Sequence, residues 1–158
     1  MGTLSKAGRD FIRRMEGCRL HRYPDSAGIW TIGVGAIHDL KGDRVTALTP
    51  DLTAAQADAL LQRDTARAAG AVTRLIAVPL TQQQFDALCS FAFNVGTGAL
   101  QSSTLRQAIN RGEDPGEDLF ARWDLAGGRH QPGLRHRRLA EYQLFESIAP
   151  KAEKAEAA

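Results

Sequence analysis

Glu16-Gly17-Cys18-Arg19-Leu20-His21-Arg22-Tyr23-Pro24-Asp25-Ser26-Ala27-Gly28-Ile29-Trp30-Thr31-Ile32-Gly33-Val34-Gly35 is the stretch where the chain changes its structural period. Just before it, Ala7, Phe11, Ile12 and Met15 recur at helical spacing and predict a short amphipathic helix over 5–16. Ser5 suits its N-cap, and Gly17 stops it directly after Glu16. Within the stretch the character is β. Leu20 to Tyr23 leads into the turn-forming run Pro24 to Gly28, Ile29 to Ile32 follows, and Gly33 and Gly35 mark a bend. The expectation is a small antiparallel hairpin or three-stranded sheet.

Beyond Pro50 the pattern is helical. Thr53-Ala54-Ala55-Gln56 has the form of a capping box, and Leu60, Leu61, Ala68, Val72, Leu75 and Ile76 trace one stripe down a long helix. After Pro79, Thr81-Gln82-Gln83-Gln84 opens a second helix through Phe85, Leu88, Cys89, Ala92 and Phe93. This helix is apolar nearly all round, as the centre of a helical lobe should be, and Gly96 and Gly98 end it. Further helices are expected near 103–110, 117–123 and 134–148. The fold class is α+β, mainly α: a small N-terminal β lobe (about 17–50) joined by a long helix to a larger helical lobe (about 53–148, packed with helix 5–16). Residues 1–150 read as one domain, and the Ala, Lys and Glu tail 151–158 as flexible, having nothing to bury.

Composition bounds the function. With 158 residues, 43% of them hydrophobic and 24% charged, the chain is long enough for a real core. No apolar run approaches the roughly 20 residues of a membrane span, so no stable membrane insertion is expected. The N-terminus lacks the features of a secretory signal, which points to a start in the cytoplasm. Cys18 and Cys89 are too few for a disulfide framework or a zinc site, and no metal or organic cofactor is implied. A net charge of +2 is too weak to argue for nucleic acid. Nothing points beyond a monomer.

Glu16 and Asp25 are the carboxyl pair of interest. General acid–base work on a glycosidic bond needs one acid kept protonated and a second group that stays ionised to attack or to hold water. Glu16, closing a helix, faces the junction between lobes, whereas Asp25 sits in an open turn. Thr31, on the following strand, is placed to help Asp25 hold a water molecule. Singly, each residue has an ordinary explanation as a solvated charge, a turn former or a strand threonine. Their joint spacing over a helix end, a turn and a strand is what singles them out.

That stretch closely resembles the phage lysozymes (endolysins), the glycoside hydrolase family of T4 lysozyme. Phe91-Ala92-Phe93-Asn94-Val95-Gly96, Gly98-Ala99-Leu100, Ser103-Thr104-Leu105, Trp123 and Gly133 to Glu141 extend the resemblance over nearly the whole chain. It implies a lysozyme-like two-lobed fold and a muramidase that hydrolyses the β-1,4 bond between N-acetylmuramic acid and N-acetylglucosamine. Glu16 would be the general acid, Asp25 the base or electrostatic partner and Thr31 the water-positioning residue, with inversion the favoured outcome. Phe93, Asn94 and Ser103 would line the glycan cleft. The implied partners are peptidoglycan strands and a holin-type pore, the enzyme waiting in the host cytoplasm until released to the wall. Without a separate wall-binding domain, thin Gram-negative peptidoglycan is the better expected target. Where the family often carries a histidine, this chain has Ala36, with His38 two residues on.

Two other readings compete. A lytic transglycosylase cuts the same bond with one acid and no use for Asp25 or Thr31. A noncatalytic wall-binding module predicts aromatic rows or repeats, and aromatics are only 6% of this chain. The cluster Arg122, Arg129, Arg135, Arg137 and Arg138 reads first as a solvated helical face, with Arg137 and Arg138 pairing Glu141 at the surface. The other reading has an arginine meeting the anionic wall or the active-site carboxylates.

Overall fold

The structure, a computed structural model, describes residues 2–147, so Ile148 and the tail 151–158 of the sequence reading lie outside it. Helix α1 (Lys6–Glu16) begins at Ser5, whose hydroxyl accepts the Gly8 N–H at 3.0 Å, and ends at Gly17 with φ 76°. That positive φ lets the chain turn away immediately after Glu16. Strands β1 (Arg19–Pro24) and β2 (Trp30–Gly33) pair antiparallel, with Tyr23 opposite Thr31 and Pro24 opposite Trp30. The sheet has these two strands, and single bridges Ile32–Ala36 and His38–Arg44 carry the pairing a little further.

Helix α2 (Ala54–Leu75) and helix α3 (Gln82–Val95) open with the expected capping boxes at Thr53/Gln56 and Thr81/Gln84. Every residue from Phe85 to Ala92 of α3 is buried. Helices α4 (Thr97–Ser102), α5 (Thr104–Asn110) and α6 (Gly116–Ala121), a tiny hairpin β3 (Leu125–Ala126) and β4 (Arg129–His130), and helix α7 (Pro132–Glu146) follow. Helix α4 and the β3–β4 hairpin were not expected. Gly96, read as a break, ends α3 and at once caps α4, so only one residue separates the two helices. The hairpin turns on Gly127 and Gly128, both at positive φ (58° and 74°), as two-residue hairpin turns require.

The main core surrounds α3. Phe91 meets Phe120 and Trp123 edge-to-face at 5.9 and 5.7 Å, and Leu88, Leu100 and Leu105 are fully buried beside them. A smaller cluster, Ile32, Ala36, Val45 and Leu60 with Leu52 against it, lies under the sheet. Leu60 belongs to the small cluster and its neighbour Leu61 to the large one, so α2 is apolar on two faces.

Helix α1 is tied down from two sides. On α3, buried Asp86 binds the Ser5 hydroxyl and accepts the Ser5 N–H at 3.0 Å. On α2, Asp58 Oδ1 takes Arg9 Nε at 2.9 Å and Arg13 Nη2 at 3.0 Å. The Arg9 hydrogen bond holds the Asp58 carboxyl below the usual carboxylate range. A depressed folded-state pKa means the stabilisation exists above the unfolded value of about 3.9 and is lost as pH falls through the folded one. Asp58→Asn should therefore cost about 1–2 kcal/mol in urea unfolding at pH 7, and the gap from wild type should narrow steadily as pH falls below about 4. A gap independent of pH would show that the carboxylate charge is not what binds α1 to α2.

Candidate active site

Glu16 is the last residue of α1, with its side chain 30% exposed. Its Oε1 accepts from Nη1 of Arg137 on α7, while Oε2 is uncommitted among the described residues. Arg137 is itself buried and held on three sides. Its Nε donates to Glu141 Oε1 at 3.0 Å, and its Nη2 to the Ser90 hydroxyl and carbonyl at 3.2 and 3.3 Å. Ser90 donates to the same Glu141 oxygen at 2.7 Å. Arg138 approaches that carboxylate from the other side, with Nη2 3.3 Å from Oε1 and Nε 3.1 Å from Oε2. Its Nη2 also donates to Asn94 Oδ1 at 2.7 Å. A line of alternating charge thus runs Glu16, Arg137, Glu141, Arg138 across α1 and α7, and ends on α3 at Asn94.

This overturns the first reading of the arginines. Arg122, Arg129 and Arg135 are exposed, but Arg137 and Arg138 are buried, as is Glu141. The pairing on α7 exists, on the face that packs against α3, because Ser90, Asn94 and Glu16 supply partners the local sequence does not show. A sequence signal was present. Leu134, Arg138, Glu141 and Phe145 follow at intervals of four, three and four, the stripe of a packed helical face. Burial pushes the Glu141 carboxyl up from the usual carboxylate range, while Arg138, Arg137 and the Ser90 hydroxyl pull it back. The Arg138 guanidinium is lowered by the same burial, against the pull of Glu141.

Asp25 and Thr31 are held quite differently. Asp25 Oδ1 accepts the N–H groups of Ala27 at 2.8 Å and Ile29 at 2.9 Å. Thr31, 3% exposed, donates its hydroxyl to the Ile29 carbonyl at 2.9 Å, which leaves its oxygen free only to accept. The backbone of Ile29 therefore links the two, its N–H donating to Asp25 and its carbonyl accepting from Thr31, and Gly28 at φ 77° allows the turn between them. Beside them the Arg19 guanidinium lies 4.4 Å from the Tyr23 ring centroid.

The three expected wall residues fall at two places. Half-buried Phe93 lines a cavity of about 420 Å3 with Asp64, Arg67 and Ala68 of α2. Asn94 and Ser103 line another, of about 840 Å3, with Arg122, Trp123, Leu125 and Leu134. The Ser103 hydroxyl caps α5, accepting from Arg106 N at 3.0 Å and donating to Leu100 O at 2.8 Å, so it is committed to the fold. Cys89 is fully buried, which raises its thiol pKa, and Cys18 is half-buried. Among the described residues no group of three or more His, Cys, Asp or Glu side chains is placed to hold a metal.

Removing one member of a buried ion cluster strands the others, so Glu141→Gln should destabilise the protein by about 3–5 kcal/mol in urea at neutral pH. A loss below about 1 kcal/mol, the scale of an exposed pair, would mean the cluster is solvated in solution.

Comparison with known proteins bears on what this geometry does. The family model described as phage lysozyme matches residues 13–141. An endolysin of Acyrthosiphon pisum secondary endosymbiont phage 1 is 41% identical over 150 residues, covering 91% of this chain and 98% of its own. Among solved structures, a mutant of P22 lysozyme superposes with a TM-score of 0.86 at 37% identity, over 93% of this chain and 100% of that one. The muramidase domain of SpmX from Asticaccaulis excentricus gives a TM-score of 0.75 at 34% identity, over 94% and 100%.

Proposed function

The chain belongs to the phage lysozyme family and is a glycoside hydrolase of lysozyme type; from that premise we propose that it hydrolyses the β-1,4 bond between N-acetylmuramic acid and N-acetylglucosamine in peptidoglycan. The observation that carries this reading is the Glu16 carboxyl. One oxygen is held by a buried arginine and the other is uncommitted among the described residues. A proton on Oε2 can then be delivered to the leaving oxygen without disturbing the contact that fixes the group. Asp25, with one oxygen engaged by backbone N–H groups, keeps its other oxygen for water or for the developing positive charge on the sugar. Thr31 accepts a hydrogen bond from that water. A positioned water on the far face of the sugar favours inversion. Phe93 and Asn94 contribute to the walls of the glycan cleft, and Ser103 lines the same cavity as Asn94 while capping α5.

Glu16→Gln should keep the fold and abolish cleavage, because an amide has no proton to give. Mass spectrometry of fragments from purified peptidoglycan is the test, and reducing muramic acid ends from wild type alone are the expected result. Anhydro-muramic ends would make the enzyme a transglycosylase, and undiminished activity of the variant would remove Glu16 from the mechanism.

In cells, the role is lysis of the host wall from a cytoplasmic start through a holin-type pore. Among the described residues no helix is long and apolar enough to cross a membrane. Expression of the chain alone should leave Gram-negative cells intact, and co-expression with a holin should clear the culture. Clearing without the holin would show another route to the wall.

A further inference from the structure

Resting on the hydrolase reading, we infer that Arg138 is a positioning residue that locks the Asn94 carboxamide with its NH2 group turned toward substrate. Asn94 then serves as a dedicated hydrogen-bond donor to an acceptor oxygen of the peptidoglycan strand.

The orientation follows from the chemistry of the pair. A carboxamide presents an oxygen on one side and an NH2 on the other, and the two ends look alike in shape. Arginine carries donors only. The Asn94 atom 2.7 Å from Arg138 Nη2 is therefore the oxygen, and the NH2 lies on the opposite side. The arginine has no freedom to release it. Arg138 is 0% exposed, bracketed by Glu141, and its guanidinium carbon is 5.1 Å from the Phe91 ring centroid. Asn94 itself is exposed on the last turn of α3, on the wall of the cavity of about 840 Å3, and its Nδ2 has no partner among the described residues.

Exposed Arg122, a second donor, stands on the wall of the same cavity, and Trp123, Leu125, Ala126 and Leu134 complete it with largely apolar surface. Donors on an apolar ground select carbonyl or carboxylate oxygens. A peptidoglycan strand offers them in two places, the N-acetyl groups of the sugars and the peptide stem.

Steady-state release of reducing ends from solubilised strands, with stems and after enzymatic removal of stems, tests the inference. Asn94→Asp preserves the shape and the Arg138 contact but removes both N–H donors. It should raise KM roughly tenfold with kcat little changed. A rise confined to stem-bearing strands places the acceptor on the stem, and a rise on both places it on the acetamido groups. An unchanged KM on both overturns the donor role. Arg138→Lys should raise KM likewise, and the double variant should be no worse than Asn94→Asp alone. Additive effects would remove Arg138 as the residue acting through Asn94. Independently of any Arg138 variant, the Asn94 side-chain NH2 resonances in Glu16→Gln protein should shift when intact strands are added; unshifted resonances overturn the inference. Failure of wild-type turnover would count against the hydrolase reading instead, since the resonance measurement needs no cleavage.

Discussion

One buried carboxylate, Glu141, is shared by two buried arginines, and the candidate active site depends on it. Taking such charges out of water costs several kcal/mol per ion, and a well-packed apolar trio of similar volume is often as stable. Stability alone therefore does not account for the cluster. Its geometry does more. Glu141 and Ser90 fix Arg137, which reaches from α7 to the end of α1 and holds Glu16. Glu141 also fixes Arg138, which holds Asn94 on α3. Two groups on different helices thus take their positions from a single hub that is itself inaccessible to solvent.

The other half of the site has no such hub. Asp25 and Thr31 are positioned by the backbone N–H and carbonyl of Ile29, within one turn of the same hairpin. Local backbone bonds suffice there because the turn residues are close in sequence and Gly28 removes the steric objection to the bend. Glu16 is held by long-range contacts and Asp25 by short-range ones. Glu16 stays exposed, with 30% of its side chain open, and Asp25 is half-buried in its turn, so the two carboxyls differ in what holds them and not, as the sequence had suggested, in a dry Glu16 against a wet Asp25.

The same distinction explains what could be read from sequence. Ser5 and Gly17 bounding α1, the capping boxes at Thr53 and Thr81, and the turn at Asp25 are local arrangements, and each stands in the structure as read. Arg137 and Arg138 were misplaced at the surface because their partners Ser90, Asn94 and Glu16 lie 47, 44 and 121 residues away. Leu134, Arg138, Glu141 and Phe145 already carried the period of a buried stripe, and the charges hid it. Helix α4 is hard to separate in the sequence because Gly96, which reads as a terminator, both ends one helix and begins the next. The β3–β4 hairpin was missed because its strands are too short for alternation to show, although the Gly127-Gly128 pair is itself a hairpin signal.

Adjacent residues Leu60 and Leu61 point into different apolar clusters, and this has a thermodynamic side. The small cluster under the sheet draws Leu60 from α2, and the same helical turn anchors the main core through Leu61. The helix cannot let go of one cluster without straining its hold on the other. The hairpin carrying Asp25 and Thr31 therefore shares the cooperativity of the helical core, and melting at one end of α2 is felt at both.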